Sequence, residues 1–358
     1  MKARKKMNVR SRNKFIDLIK GFAIILVVAG HCIQSGCGGQ YSASNIYWEN
    51  YLFKFIYGFH MPLFAMVSGY LFYYSVQKRN FIGIVCQRIM TIGIPIAIWC
   101  GIMLIVDYRD IAFGGVINFL SYYRVVLGSS LWFLWALLGS SFLVIGNKFF
   151  FRDTMAVYVV FLIVSPFLSD AHYLGAVKFL YPYFTFGYLL HRSGKWNIMQ
   201  EKFWENKKRM IFILLIAYVA MLPIFHYDTY FYTTGITLLG KQNVWYQLWN
   251  DVIRLIAGFV GSFATIGSIA CVVQLTKKKI WCKLLDVAAL LGQYTMGIYI
   301  INWQTMPLLQ KMTRELSYSI GLVVIETIIT TAVCWGIAVF LYRIKGISGL
   351  LFGKWNIH

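Results

Sequence analysis

Three ionisable residues, Asp17, Lys20 and His31, lie along the first long apolar stretch of this 358-residue chain. A charged group inside a bilayer costs several kcal/mol unless it meets a cavity or a partner, so each is a candidate for function. At about 100° per residue, Lys20 and His31 fall about 20° out of phase and about 16 Å apart along one helix, with Asp17 about 40° off the same face. The helix therefore carries a polar stripe from its first turn into its far half. An imidazole so placed is a natural proton acceptor near neutral pH, and cations at the helix start suit phosphate. The competing readings are snorkelling at a helix end for Asp17 and Lys20, and a packed, hydrogen-bonded histidine for His31.

The second apolar stretch carries His60 within Gly58-Phe59-His60-Met61-Pro62-Leu63-Phe64, then Ser68-Gly69-Tyr70. Running back across the membrane, it brings His60 into the same half as His31. Pro62 is expected to kink the helix and free a carbonyl, and Ser68 and Gly69 suit close helix packing. Farther along, Asp251 and Arg254 are three residues apart, a spacing that favours a structural, mutually neutralising pair over a catalytic one. Lys178 begins another apolar stretch. Glu326 has no partner within its own helix, so it must face another helix or a water-filled cavity.

These residues need membrane helices to position them. The chain is 59% hydrophobic and 13% charged, which excludes an ordinary soluble domain. Apolar windows long enough for a core of about 30 Å recur near 15–35, 52–76, 88–107, 130–148, 154–169, 174–191, 210–226, 248–275, 283–306 and 319–342. The expected fold is an all-α polytopic bundle of about ten transmembrane helices. Alternate loops hold most of the 34 basic residues, whereas the opposite ones hold Arg109, Arg124, Lys241, Lys311 and Arg314. By the positive-inside rule both termini are cytoplasmic. The organisation read from this is a basic tail at 1–14, one transmembrane domain at 15–345 and a short tail at 346–358, with no cleavable signal peptide.

The net charge of +21 sits in short loops rather than on a continuous basic face, which argues against nucleic acid as a partner. The seven cysteines have no metal-ligand spacing, so no metal is expected; Cys32 and Cys37 alone are placed for a disulfide. The outer segment 108–129 reads as a surface loop ahead of a lid or re-entrant piece.

Over most of its length the chain resembles the family-three membrane acyltransferases, which include O-antigen and exopolysaccharide O-acetyltransferases and fucose O-acetylase-like proteins. Phe15-Ile16-Asp17-Leu18-Ile19-Lys20-Gly21, continuing to Val27-Val28-Ala29-Gly30-His31, resembles the opening motif. Phe59-His60-Met61-Pro62-Leu63-Phe64 with Ser68-Gly69-Tyr70-Leu71 is similar to the second and most specific one. Arg88 ahead of Pro95, Leu131-Trp132-Phe133-Leu134, Tyr183-Phe184-Thr185-Phe186-Gly187-Tyr188 and Gly292-Gln293-Tyr294-Thr295-Met296-Gly297 resemble the later motifs. Two positions depart from the pattern: Lys20 stands where the family usually has Arg, and Asn302 where it often has His.

The resemblance implies acyl transfer, usually acetyl, from cytoplasmic acetyl-CoA or another acyl-CoA to a hydroxyl of a cell-surface carbohydrate or its lipid-linked precursor, at a bacterial plasma membrane. On that basis Lys20, Arg88 and Asp17 are assigned to the coenzyme and His31 to general base, acting directly or through an acyl-His intermediate, with Glu326 ahead of Asp251 as the carboxylate orienting it. His60, Ser68, Trp132 and Arg254 are assigned to the acceptor. The acceptor's identity and the oligomeric state are left open. A secondary transporter of a small anionic or sugar-like solute is the rival reading, and it predicts an inverted repeat that the sequence does not display.

Overall fold

The computed structural model describes residues 13–107, 115–171, 173–194 and 207–355. The basic residues of the tail before Asn13, Arg109, Lys195, Lys202, the start of the 108–129 segment and the last three residues of the C-terminal tail lie outside that description. Among the described residues the ordered elements are all helical. In chain order the first are α1 (Lys14–Gly36), α2 (Tyr51–Gln77) and α3 (Phe81–Asp107), then α4 (Val116–Ser129). Next come α5 (Trp132–Phe150), α6 (Met155–Phe167), α7 (Leu174–Arg192), α8 (Lys207–Met221) and α9 (Val244–Leu275). The last are α10 (Lys279–Leu291), α11 (Thr295–Met312), α12 (Ile320–Arg343) and α13 (Ile347–Phe352).

Every expected window contains a helix, but six helices are both long and apolar enough to cross a bilayer alone: α1, α2, α3, α5, α9 and α12. The window at 283–306 is not one straight span. It is two helices, α10 and α11, bent by 79°. The bend lies at Gly292, where an added Cβ would stand 1.8 Å from the Asp17 carbonyl oxygen; one on Gly21 would stand 1.7 Å from that of Ala288. Only glycines let the backbones of α1 and α10 approach so closely. Helices α6 and α8 are shorter than the roughly 20 residues a span demands. In α7, whose buried residues include Lys178, Thr185 and four tyrosine or phenylalanine rings, most of the surface faces protein rather than lipid.

Capping residues fix where helices begin. Asn13, Asn50, Asn243 and Ser319 each accept a backbone N–H from the first turn of the following helix, satisfying donors that would otherwise be orphaned. Helix α2 breaks at Gly58 and Phe59. Pro62 lies in the first turn of its second piece, where its missing N–H forfeits no intrahelical bond. The expected proline kink is thus a break ahead of the proline. The packing role expected of Gly69 is visible: a Cβ there would meet the Phe184 carbonyl oxygen at 1.9 Å, and one on Gly187 would meet that of Met66 at the same distance.

Two helices widen into a π turn directly after a candidate residue: α1 over Cys32–Gly36, after His31, and α3 over Ile89–Gly93, after Arg88. Such turns recur at functional sites because they displace side chains from the regular helical register. The second is stapled from the far end of the chain. Trp355 Nε1 donates to the Met90 carbonyl at 2.8 Å, Trp99 Nε1 donates to that of Leu351 at 2.9 Å, and Gly353, at φ 64°, lies so close to Thr91 that no Cβ would fit.

The segment expected as a surface loop is partly helical. Over 116–129 it forms α4, which packs on α3 through Tyr123 Oη donating to the Ala97 carbonyl at 2.9 Å. Cys32 and Cys37 are free, buried thiols, not a disulfide.

Candidate active site

His31 is the last α-helical residue of α1, and its Nδ1 lies 2.5 Å from the Asn302 carboxamide. Asn302 is fully buried on α11 between Ile301 and Trp303. The Trp303 ring meets the imidazole edge-on, with centroids 6.0 Å apart and planes at 70°. Packing on one side and a hydrogen bond on the other set the orientation of the imidazole. The carboxamide Oδ1 has no partner among the described residues. Since an amide's two ends have the same shape, its orientation is assigned from hydrogen bonding. Turned with Oδ1 toward the ring, it accepts an Nδ1–H and leaves Nε2 with a free lone pair.

His60 is 3% exposed and its Nδ1 lies 2.7 Å from the Ile56 carbonyl. That carbonyl sits beside the break in α2 and also accepts the Phe59 N–H at 3.3 Å, so the imidazole is its second partner. Tyr57 packs on His60 at 4.8 Å, and its hydroxyl donates to Gln34 Oε1 at 3.2 Å, tying α2 to the π turn of α1.

Near the opposite end of α1, Lys20 Nζ lies 3.8 Å from Asp17 Oδ1. Arg88 rests its guanidinium on the Phe72 ring at 4.0 Å, a cation–π contact. Its Nε is buried with no hydrogen-bond partner among the described residues. A half-buried guanidinium with an unused donor at Nε fits an anionic group of a ligand.

The residues assigned to the acceptor do not form one cluster. Trp132 packs against Phe231 at 4.9 Å and Tyr232 at 5.4 Å, both in the segment joining α8 to α9. Ser68 lies eight residues along α2 from His60, about 12 Å toward the helix's other end. Arg254 is fully engaged by the protein. Its Nε donates to the Thr229 carbonyl at 2.6 Å, Nη1 to Gly235 O at 2.5 Å and Asp251 Oδ1 at 2.6 Å, and Nη2 to Asp228 O at 2.9 Å and to Thr234 Oγ1. All five N–H groups are spent, four on residues 228–235 and one on Asp251, so Arg254 fixes that segment and has no donor left for an acceptor. The Asp251–Arg254 pair expected from their spacing is formed.

Glu326 does not orient His31 through any contact in the structure. It is 5% exposed, and its Oε2 lies 3.9 Å from the Cys37 thiol and against Gly36, beyond His31 along α1. Asn302 occupies the orienting place instead. The signal was present in the sequence: an amide within Ile300-Ile301-Asn302 on an apolar helix, at a position where the resembled family often has His. The ring cluster Tyr230-Phe231-Tyr232 over Trp132 was also missed, because nothing in local spacing brings 132 to 231. Among the described residues no group of three or more His, Cys, Asp or Glu side chains could hold a metal.

A family model described as an acyltransferase domain matches residues 13–339. The chain belongs to the acyltransferase 3 family. Within this family it is similar to nodulation protein NolL of Sinorhizobium fredii, 26% identical over 306 residues, covering 82% of this chain and 77% of that one. NolL of Mesorhizobium japonicum is 25% identical over 346 residues, covering 90% and 86%. No solved structure matches the chain significantly. An acyltransferase 3 member with apolar helices of this length and number is a multi-pass membrane transferase.

Proposed function

We propose that this acyltransferase moves an acetyl group from cytoplasmic acetyl-CoA to a hydroxyl of a carbohydrate at the outer face of a bacterial plasma membrane, with both termini inside and the helices forming one domain. The observation that carries the reading is the Asn302 carboxamide at hydrogen-bond distance from His31 Nδ1, deep among apolar helices. A histidine with one nitrogen held and the other free is a prepared base.

In this reading Nε2 of His31 takes the proton of the acceptor hydroxyl as its oxygen attacks the thioester carbonyl. The carbon–sulfur bond then breaks, and the proton passes from Nε2 to the departing thiolate. Asn302 keeps the ring in the tautomer that can accept, as an orienting side chain does in other histidine-centred sites. Arg88 offers its unused donor to a coenzyme phosphate, with Lys20 as the second cation and Asp17 holding Lys20. His60, with Nδ1 committed to Ile56, presents Nε2 toward the same half of the bundle, and the aromatic face of Trp132 suits a sugar ring.

The test is transfer of label from acetyl-CoA to extracted surface glycan in membranes carrying wild type or His31→Ala. Label entering glycan only with the intact histidine supports the reaction and the base together. Near-wild-type transfer by His31→Ala removes the base assignment.

A further inference from the structure

A large cavity lies at the His31 end of the bundle, outside the residues assigned above to coenzyme, base and acceptor. It has a volume of about 1340 Å³ and sits between the segment following α1 and the end of α11 with its following turn. Its lining begins at Cys37 and Pro307. These lie six residues beyond His31 and five beyond Asn302, so the two helices that carry the imidazole and its amide continue into the cavity walls, about 7–9 Å farther on.

The walls are fixed in place. Gly39 N–H donates to the Arg314 carbonyl at 3.0 Å, and Gly38, at φ 88°, lies where any Cβ would strike the Leu316 carbonyl oxygen. Tyr41 and Tyr318, both lining residues, stack with centroids 4.7 Å apart and planes 11° from parallel. Asn50 donates to the Tyr41 hydroxyl at 2.9 Å. Burial pushes that hydroxyl up to about 12, so it stays neutral and repels no anion.

Charge separates this cavity from its surroundings. Lys54, Lys178 and Arg254 are each matched by a carboxylate at 2.6 Å, from Glu49, Asp170 and Asp251 respectively, and Lys241 donates to the Thr234 carbonyl at the same distance. Lys311 and Arg314 line the cavity, are exposed, and form no ion pair among the described residues. Glu315 is the one acidic lining residue. Sites that take carbohydrates combine aromatic faces with a few placed polar groups, and unmatched cations in a concave wall select anions.

We propose that this cavity docks the acceptor and selects an anionic oligosaccharide, with Lys311 and Arg314 reading its carboxylates and the Tyr41–Tyr318 stack supporting its rings. The inference rests on the carbohydrate-acceptor reading above and adds the acceptor's charge and its place.

The test is binding of oligogalacturonate and of dextran of equal length to the full chain in nanodiscs of zwitterionic lipid. The wild type is compared with Lys311→Glu/Arg314→Glu and Tyr318→Ala, each first shown to elute as a single folded species. Oligogalacturonate is expected to bind the wild type at least tenfold tighter than dextran and to weaken with added salt. Charge reversal should remove that preference, and Tyr318→Ala should weaken both sugars. Equal binding of the two sugars, no binding of either, or a preference that survives charge reversal overturns the proposal. If oligogalacturonate binds as expected but labelled acetyl-CoA transfers nothing to any glycan, the docking site stands and the acetyl-transfer reading falls.

Discussion

Arg254 and His31 are both polar residues held by helices of an apolar bundle, yet they are treated in opposite ways. Arg254 has every N–H matched by a carbonyl, a hydroxyl or Asp251. His31 is held at one nitrogen only, and Arg88 Nε is left without a partner among the described residues. An unmade hydrogen bond in a buried place costs about 1–3 kcal/mol. In the reading proposed above, saturation suits a residue the fold uses for itself, and a free nitrogen suits one that meets a substrate. In sequence each is an ionisable group in an apolar helix, and only the three-residue spacing to Asp251 sets Arg254 apart; the tally of partners makes that difference explicit.

The sharpest way to break this contrast is His31→Ala. It should lower acetyl transfer by about 10²–10⁴-fold, the contribution usual for a positioned general base, and leave the melting temperature in detergent close to wild type. A large loss of stability would put His31 in the same class as Arg254. The reverse pattern is expected of Arg254→Leu. Leaving Asp251 buried and unmatched should cost about 3–5 kcal/mol of stability, seen as a lowered melting temperature, and Arg254→Lys should not restore it because an ammonium cannot span the five acceptors.

Asn302 sharpens the contrast. Asn302→Ala should reduce kcat about tenfold with little change in the KM for acetyl-CoA, and Asn302→His should retain more activity than alanine, since a ring nitrogen can also hold Nδ1–H; equal activity in the two variants would deny Asn302 an orienting role. The smallest effect is expected from Arg88→Ala, which should raise the KM for acetyl-CoA severalfold while leaving kcat close to wild type. A fall in kcat alone would move Arg88 away from coenzyme binding.

Much of this architecture is legible in the sequence because bilayer thickness translates directly into runs of apolar residues. The windows at 15–35, 52–76 and 319–342 fall on α1, α2 and α12 within a few residues. The bend between α10 and α11 was not legible. It depends on the contact of Gly292 with Asp17, two residues 275 positions apart, and no local pattern reports a backbone approach of that kind. The same limit applies to the site. His31 stands out by its own cost in lipid, whereas Glu326 stands out equally and points elsewhere, to Cys37. Intrahelical spacing recovered the Asp251–Arg254 pair, because both members lie on one helix, and missed Asn302, whose partner lies on another.

The staple made by Gly353 and Trp355 on the π turn after Arg88 carries a consequence for biogenesis. That segment is translated after all of α1–α12, so the neighbourhood of Arg88 stays unfinished while the earlier helices enter the bilayer. The side on which we propose that the donor enters is therefore the last part of the chain to close. A chain truncated before Gly346 should still insert and still hold His31 against Asn302, but with its coenzyme side unsealed.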